Sequence, residues 1–345
     1  MPEIEFLLIL HSWSFRGEEG MKITKMLLSC LLVLVFAVPG LAVVKEAKDY
    51  KVVLILPGPI NDQSWNATNY NGLVACNEQL GTNIEYVENV QQSDFESTFR
   101  NYGERGYDLV ISAGTQFDNA AETIAPLYPN TRYLVINGAK TNGANLTGVT
   151  IREWESGYLA GVLAGLATEA GIIGEMGGFP NPLMKDALNG VTAGAKSVNP
   201  NFQKAIRAYA NSWSDIAKGK EIGVSMIEGG ADVLFAYANQ AGLGTLMAAQ
   251  EAGKKFIGFA SDQNASAPGL IPGSVVYKYD QLYLFVVGEF IKGQLPADVM
   301  TAGLSEGIID IIFSDSATQE MKDAIEKAKA GILSGEIPKP EGEEE

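Results

Sequence analysis

Short apolar runs alternate along the chain with longer stretches in which apolar side chains recur every three or four positions. The first run spans Val52 to Leu56, a helical pattern follows from about Asn66 to Glu78, and a second run spans Ile84 to Val87. Continuous apolar runs are typical of strands buried on both faces, and the longer period is typical of helices that cover a sheet. The first part of the chain is therefore predicted to begin a parallel α/β sheet.

The alternation continues to about residue 136 and then starts again. The rest of the first series is predicted as helices at 95–105 and about 119–127 and strands at 109–112 and 133–136. The second series is predicted as helices at 153–168, about 184–197 and 215–228 and strands at 172–176, 204–208 and 233–236. The later segments are predicted as helices at 243–252 and 282–291 and strands at 256–259, 275–277 and 308–312.

The restart predicts two similar α/β lobes, and a length of 345 residues also favours two domains. No long linker rich in proline or serine separates the halves, so we expect short hinge strands. The first lobe is expected at residues 43–152 and about 263–293, and the second at 153–262 and about 294–335. Residues 336–345 are expected to form an acidic tail.

The segment before the first strand has the features of a secretory signal peptide, which we place at residues 21–42. Two lysines precede an apolar run at residues 26–38, and Gly40 and Ala42 supply the small residues that signal peptidase requires. Residues 1–20 lie upstream and are not expected to belong to the natural start. The chain is therefore predicted to be exported to the periplasm or another extracytoplasmic space.

Charge and residue usage exclude several classes of function. The net charge of -16 makes nucleic acid a poor partner. His11 is the only histidine and lies before the signal peptide, so the mature chain lacks the histidine pairs of common hydrolases and histidine-based metal sites. Cys30 precedes most of the apolar run, whereas a working lipidation box follows it, so a lipid anchor is less favoured. If Cys30 is removed with the signal peptide, Cys76 has no disulfide partner. We expect no enzyme activity, no cofactor and no metal site.

Polar and aromatic side chains follow nearly every predicted strand. Ligands of open α/β sheets bind at the carboxyl ends of the strands. Aromatic faces can stack on a flat ring while Asn, Asp and Gln bind its edge, so this mixture favours a flat, polar ring ligand. The candidate contacts at these positions are Asp62, Trp65, Asn66, Phe117, Asn137, Phe179, Trp213, Asn239 and Asp262.

Several of these candidates have a structural alternative that the sequence leaves open. Asp62 stands where a helix N-cap is expected, and the Asn137-Gly138 pair fits a turn. Trp65 and Trp213 are also typical of core or lid packing, although we favour a ligand contact for both. Lys278 interrupts an apolar strand, so it is either a surface residue or a charge directed into the cleft.

Five stretches of the sequence resemble those of one known family. They are residues 58–66 (GPINDQSWN), 155–161 (ESGYLAG), 190–195 (GVTAGA), 230–235 (GADVLF) and 261–263 (SDQ). Over about residues 51–329 the chain resembles the basic membrane protein (PnrA-like) family of ABC-transporter substrate-binding proteins, whose members include purine nucleoside receptors. The resemblance implies a type I periplasmic-binding fold with two Rossmann-like lobes, three crossovers and a cleft that closes on its ligand.

The resemblance also implies roles for individual residues. Asp62, Trp65 and Asn66 would line the first lobe, and Asp262 and Lys278 would complete the site from the far side. The small residues at 155–161 are expected to allow close helix packing at the lobe junction.

Two departures from the nucleoside receptors count against a nucleoside ligand, and the stretches 58–60 (GPI) and 211–213 (NSW) look more like a branch of the family linked to adenine-type nucleobases. Asn137 stands where those receptors tend to carry an aspartate, and Ala187 falls near the place of a stacking phenylalanine. A base without its sugar needs fewer carboxylates. In this hypothesis Trp65 stacks on the base, together with Phe117 or Trp213. Its edges would be read by Asn66, Asn137, Asn239 and Asp262.

The partners expected from the resemblance are a small-molecule ligand and an ABC permease, with the receptor itself a monomer. A different ligand on the same scaffold, such as riboflavin, a sugar or a signalling molecule, is the main alternative. An exported enzyme that uses only carboxylates is the least favoured interpretation.

Overall fold

Two six-stranded sheets form the centre of the part of the chain that the structure describes. The structure is a computed structural model and describes residues 45–61 and 65–342. The predicted signal peptide and Asp62 lie outside the described residues. Within the described ranges, no helix is both long and apolar enough to cross a membrane.

The first sheet contains parallel strands in the spatial order β11-β5-β4-β3-β1-β2. Its strands are β1 (Lys51–Ile55), β2 (Asn83–Val87), β3 (Leu109–Ala113), β4 (Arg132–Ile136), β5 (Leu146–Ile151) and β11 (Val299–Ala302). The three central strands β1, β3 and β4 are buried almost throughout, which explains why they are continuous apolar runs in the sequence.

The second sheet has the order β12-β10-β9-β8-β6-β7, and only the β10–β12 pair is antiparallel. Its strands are β6 (Ile172–Gly177), β7 (Lys204–Tyr209), β8 (Val233–Tyr237), β9 (Lys255–Ala260), β10 (Gly273–Tyr277) and β12 (Ile309–Phe313). The predicted α/β class with two parallel-sheet lobes is confirmed.

Helices cover the faces of both sheets. Those of the first lobe are α1 (Trp65–Leu80), α2 (Phe95–Glu104), α3 (Asp118–Ile124) and α8 (Tyr279–Ile291). Those of the second lobe are α4 (Glu153–Ala167), α5 (Pro182–Val198), α6 (Ile216–Glu228), α7 (Asn239–Glu251) and α9 (Gln319–Ser334). Short 3-10 turns lie at Ala47–Asp49, Gln92–Asp94, Thr115–Phe117, Ala125–Leu127 and Asn264–Ser266.

The chain crosses between the lobes three times, as the resemblance implies. It leaves β5 through Arg152, returns from β10 through Lys278, and leaves β11 through residues 303–308. Arg152 ties the first crossover to the third, because its guanidinium donates to the carbonyl of Thr301 at 3.0 Å and pairs with Glu306. The hinge is therefore short and internally bonded.

The exchange of strands corrects the expected lobe boundaries. We expected residues 263–293 in the first lobe, but β10 pairs with β9 and β12 and so lies in the second sheet. We expected residues from about 294 onward in the second lobe, but β11 pairs with β5 in the first sheet. The reason is that the crossover at Lys278 carries α8 and β11 into the first lobe and the crossover at 303–308 carries β12 and α9 back, which no local pattern reveals.

Glycines let α4 and α5 approach each other within the second lobe. A Cβ atom added to Gly157 or Gly161 would lie 1.9 Å from the carbonyl oxygen of Ala187 or 2.0 Å from that of Val191. Gly190 and Gly194 of α5 meet the α4 backbone in the same way. Two of the stretches that carry the family resemblance therefore pack on each other, inside one lobe and not at the lobe junction where we expected them.

Candidate ligand-binding site

Strand ends on the cleft side have an unusual backbone. Of the described residues other than glycine, five have a positive φ, and each stands at or just after the carboxyl end of a strand: Asn89, Asn137, Asn211, Asn239 and Ala260. Asparagine tolerates this left-handed conformation better than most residues. This backbone conformation therefore favours asparagine at 137, 211 and 239, whether or not the side chain also contacts a ligand.

A cavity of about 320 Å³ lies between the lobes at these strand ends. The second lobe supplies most of its wall, from β8, α7, β9 and the end of β10. The first lobe contributes residues from the first turn of α1 and the start of α8. Its aromatic lining consists of Trp65, Tyr237, Phe256, Phe259, Tyr277 and Tyr279.

Five of these rings form a continuous row across the hinge, which we call the aromatic row: Tyr237, Phe259, Tyr277, Tyr279 and Trp65. Their successive ring centroids are 4.5, 5.4, 6.3 and 5.7 Å apart. Three of the four contacts are edge-to-face, a favoured arrangement for aromatic pairs. Because Tyr277 and Tyr279 flank the crossover residue Lys278, the row joins both lobes to the hinge.

The polar part of the lining is uncharged. It consists of Thr68, Asn239, Gln240, Ser261 and Gln263. None of the described residues that line the cavity carries a charge. The described residues also contain no group of three or more His, Cys, Asp or Glu side chains arranged to hold a metal ion. The cavity is therefore suited to a neutral ligand with both a flat apolar face and hydrogen-bonding edges.

A fully buried carboxyl group lies behind the cavity wall. Glu153, the first residue of α4, accepts a hydrogen bond of 2.9 Å from the Tyr237 hydroxyl and a second from the Tyr277 hydroxyl. Burial raises the pKa of Glu153 to about 7, despite hydrogen bonds from Tyr277, Tyr237 and Ser156 that lower it. Burial and the neighbouring Glu153 carboxyl raise the pKa of both tyrosines well above the usual value.

Two of the predicted contacts line the cavity. Trp65 begins α1 with its ring against Tyr279, and Asn239 begins α7 with its side chain exposed. Asp262 is exposed between the lining residues Ser261 and Gln263, and its carboxylate accepts from the backbone N–H of Asn264. Trp65 and Asn239 therefore share the cavity, and Asp262 is the sequence neighbour of two residues that line it.

Phe117 does not reach the cavity. Its side chain is fully buried in the first lobe, with ring centroids 4.0 Å from Phe95 and 5.9 Å from Phe99. The 3-10 turn at Thr115–Phe117 directs the ring into the core under α2. The interpretation of Phe117 as a stacking residue is corrected to a core residue.

Asn66 and Asn137 support the backbone around the first-lobe strand ends. The buried Asn66 side chain accepts from the N–H of Gly58, at 3.1 Å, and so braces the loop after β1. Asn137 follows β4 with φ 58° and forms a turn with Gly138, whose N–H donates to Val135. Neither residue lines the cavity, so the turn alternative fits Asn137.

Phe179, Trp213 and Lys278 lie outside the cavity wall. Phe179 and Trp213 contact each other, with ring centroids 5.4 Å apart, and are exposed by 37% and 38% on loops after β6 and β7. Lys278 forms an ion pair with Asp310 of β12, so its charge is held at the hinge. The surface alternative that the sequence left open therefore applies to Lys278.

Among the residues that we did not single out are the three tyrosines of the cavity wall and Glu153 behind it. Tyr237 and Tyr277 end their strands and Tyr279 opens the next helix, so the strand-end rule covers them. Glu153 has no such signal, because an acidic residue in the first turn of a helix is usually explained by the helix dipole.

Two α/β lobes, three crossovers and a cavity at the facing strand ends define a type I periplasmic binding protein. The structure matches an ABC-transporter solute-binding protein of Aeropyrum pernix K1 with a TM-score of 0.71 and 20% identity, over 85% of this chain and 94% of that one. The chain belongs to the Bmp family of PnrA-like ABC transporter substrate-binding proteins, whose model matches residues 50–343. The family resemblance is thereby confirmed.

Two relatives have names that describe their ligands. The ABC transporter nucleoside-binding protein BmpA of Lactococcus lactis subsp. cremoris is 29% identical over 319 residues, covering 86% of this chain and 90% of the relative. A purine-binding protein of Brucella abortus is 26% identical over 290 residues, covering 83% of this chain and 82% of the relative.

Proposed function

We propose that the chain is an exported receptor that captures a purine nucleobase or nucleoside in its cleft and delivers it to an ABC permease. The observation that carries the proposal is the cavity lining, where six aromatic side chains meet amides and hydroxyls without a charged group among the described residues. Purines present a flat ring with hydrogen-bonding edges. The aromatic side chains of the lining can stack on the ring, and the amides and hydroxyls can bind its edges.

The size of the cavity supports a small ligand. Its volume of about 320 Å³ lies at the lower end of the range for ligand pockets, roughly 300–1,000 Å³. The neutral wall disfavours nucleotides, because their phosphates would lose water without gaining a cationic partner. The neutral wall therefore favours an uncharged purine.

The proposed contacts divide by chemistry. Trp65 and Tyr279 stack on or against the base, and Asn239, Gln240 and Gln263 bind its edges. Asp262, next to the cavity, and Asp62 remain candidates for the ribose hydroxyls of a nucleoside. The names of the Lactococcus and Brucella relatives support a ligand of this class.

The proposed cycle is binding without turnover. Ligand enters the open cleft, contacts on both lobes favour the closed form, and the permease recognises that form. The receptor acts as a monomer and needs no cofactor. Its residues bind and orient the ligand, and no bond is made or broken.

The test is a thermal-shift panel on the mature chain after unfolding and refolding, which removes any carried ligand. Probes are adenine, adenosine, guanosine, riboflavin and ribose. A ligand at a hundredfold excess over its Kd stabilises the folded state by about 2.7 kcal/mol, so the purines should raise the Tm clearly. A shift with ribose or riboflavin alone would overturn the purine assignment in favour of that ligand.

A further inference from the structure

The Glu153 carboxyl group is joined to the cavity through two side chains that line it. The rings of Tyr237 and Tyr277 face the cavity, while their hydroxyls donate to opposite oxygens of Glu153, Oε1 and Oε2. One phenol ring therefore separates the carboxyl group from the ligand space on each side. Any change in the cavity contents changes the surroundings of this carboxyl.

Among the described residues, no cationic side chain forms an ion pair with Glu153. Within the described residues, the groups that act on its ionisation are Tyr277 from β10, Tyr237 from β8, Ser156 from its own helix and the like charge of Asp186 from α5. Tyr279 of α8 also interacts with the Glu153 charge. The nearby Arg152 is engaged by Glu155 and Glu306 instead. The carboxylate therefore depends on two phenol hydrogens and on the polarity of the cleft.

The hydrogen bonds around Glu153 can be satisfied in either protonation state. The ionised carboxylate accepts from both tyrosines. The neutral acid donates to the Tyr277 oxygen, and the Tyr277 hydrogen can then turn to Ser156 Oγ, 3.0 Å away. The Ser156 hydroxyl in turn donates to the carbonyl of Glu153 at 2.7 Å. The cluster is thus a two-state element next to the cleft.

Ligand capture favours one of these two states. Solvent in an open cleft stabilises the charged carboxylate across the rings of Tyr237 and Tyr277. An uncharged ligand that displaces this solvent removes that stabilisation and so favours the neutral acid. We propose that capture of an uncharged ligand is coupled to proton uptake from the solvent by Glu153, which acts as a positioning residue through Tyr237 and Tyr277. The proton adds to a carboxylate oxygen of Glu153 and gives the neutral acid.

Coupling of this kind has a defined sign. If the bound state holds the proton more tightly than the free state, affinity rises as the pH falls from the bound-state pKa to the free-state pKa of about 7, and it levels off below that value. Each unit by which the ligand raises this pKa tightens binding roughly tenfold at the acidic end. The proposal rests on the proposed function only in its choice of a purine as first probe.

The experiment is calorimetric titration at one pH in two buffers of different ionisation enthalpy, repeated at several pH values around neutrality. Adenine is the first probe, with ribose and riboflavin as further uncharged probes. The wild type should take up a fraction of a proton that is largest near neutral pH. Glu153→Gln, which keeps a donor and an acceptor, should bind with no proton uptake and an affinity independent of pH. Glu96→Gln on the exposed face of α2 is the matched control and should behave as the wild type.

Circular dichroism would reveal whether Glu153→Gln misfolds, and a second variant, Tyr277→Phe, tests the inference in that case. Tyr277→Phe removes a hydrogen bond that stabilises the carboxylate, so its proton uptake should peak at a higher pH than in the wild type.

Binding of adenine without proton uptake, or equal uptake in Glu153→Gln, would overturn the inference and leave the purine function intact. Proton-coupled binding of ribose or riboflavin alone would uphold the inference and overturn the purine function. Binding of no probe at any pH would overturn both.

Discussion

The indole Nε1 of Trp65 donates a hydrogen bond of 3.1 Å to the backbone carbonyl of Ala113. This bond fixes the first residue of α1 to the carboxyl end of β3, and the Tyr279 ring packs edge-on against the indole. Trp65 therefore faces the cavity in one orientation, which is what a stacking platform requires.

Truncation of Trp65 should weaken purine binding strongly. Stacking of a base on an aromatic side chain contributes about 1–3 kcal/mol, so Trp65→Ala should raise the Kd roughly five- to 150-fold. Trp65→Phe keeps a ring but loses the bond to Ala113, and should fall between. Tyr86→Ala, an exposed aromatic on β2 away from the cavity, is the control in the same fluorescence titration. Equal affinity of Trp65→Ala and wild type would remove Trp65 from the site.

The contact of α4 and α5 should be intolerant of a single methyl group. Gly157→Ala would place Cβ 1.9 Å from the Ala187 oxygen, so the helices must separate at a cost of about 1–3 kcal/mol or more. Gly288→Ala in α8 is the matched control, because its added Cβ meets nothing within 4 Å and should stabilise by about 0.4–1 kcal/mol. Urea unfolding measures both, and destabilisation of similar size in the two variants would contradict the close packing.

The buried Glu153 should make the stability of the protein fall with rising pH over a defined window. Burial raises its pKa from 4.5 in the unfolded chain to about 7, so the folded state holds a proton that the unfolded state has lost. Between these values the wild type should lose about 1.4 kcal/mol per pH unit from this group, or about 3 kcal/mol in all, and no more above pH 7.

Urea unfolding at several pH values tests this slope. Glu153→Gln cannot ionise, so its stability relative to the wild type should rise from pH 4.5 to 7 and then level off. Glu96→Gln should leave the slope unchanged. A constant difference between Glu153→Gln and wild type across this window would show that Glu153 ionises normally.

The hinge ion pairs should respond to acid in the opposite direction. Burial acts to raise the pKa of Asp310, but hydrogen bonds from Lys278 and Lys329 outweigh it and lower the pKa to about 2. The stabilisation is therefore present above pH 3.8 and is lost as the pH falls toward 2. Because the Asp310 side chain is 33% exposed, solvent screening keeps the contribution below about 1 kcal/mol.

Asp310→Asn measures this contribution. The variant should be less stable than the wild type at neutral pH, and the difference should disappear at the acid end of the window. High salt should shrink it as well, because the pairs are partly exposed. A difference that persists unchanged in acid would assign the effect to packing and not to charge.

The central strands of both sheets could be predicted from the sequence because they are buried on both faces. Val52, Val110 and Val135 lie in continuous apolar runs, and all three are fully buried in the structure. The strand β11 escaped detection since Val299–Ala302 is mostly half-exposed at a sheet edge and lacks such a run. Its partner β5 lies about 150 residues earlier, and pairing at that distance leaves no local trace.

The candidate site was predictable only where its residues follow strands. Trp65 and Asn239 were found by that rule, and Phe117 was wrongly included because a short turn directs its ring into the core. Glu153 meets Tyr237 and Tyr277 across 84 and 124 residues of sequence, so only the fold reveals that it is buried beside the cleft.

Purine binding itself is the central claim, and calorimetric titration of the refolded mature chain with adenine and adenosine tests it most directly. We predict saturable binding of one purine per chain at micromolar or lower Kd, weakened in Trp65→Ala and retained in Tyr86→Ala. Absence of saturable heat with every purine, in protein that is folded by circular dichroism, would contradict the assignment.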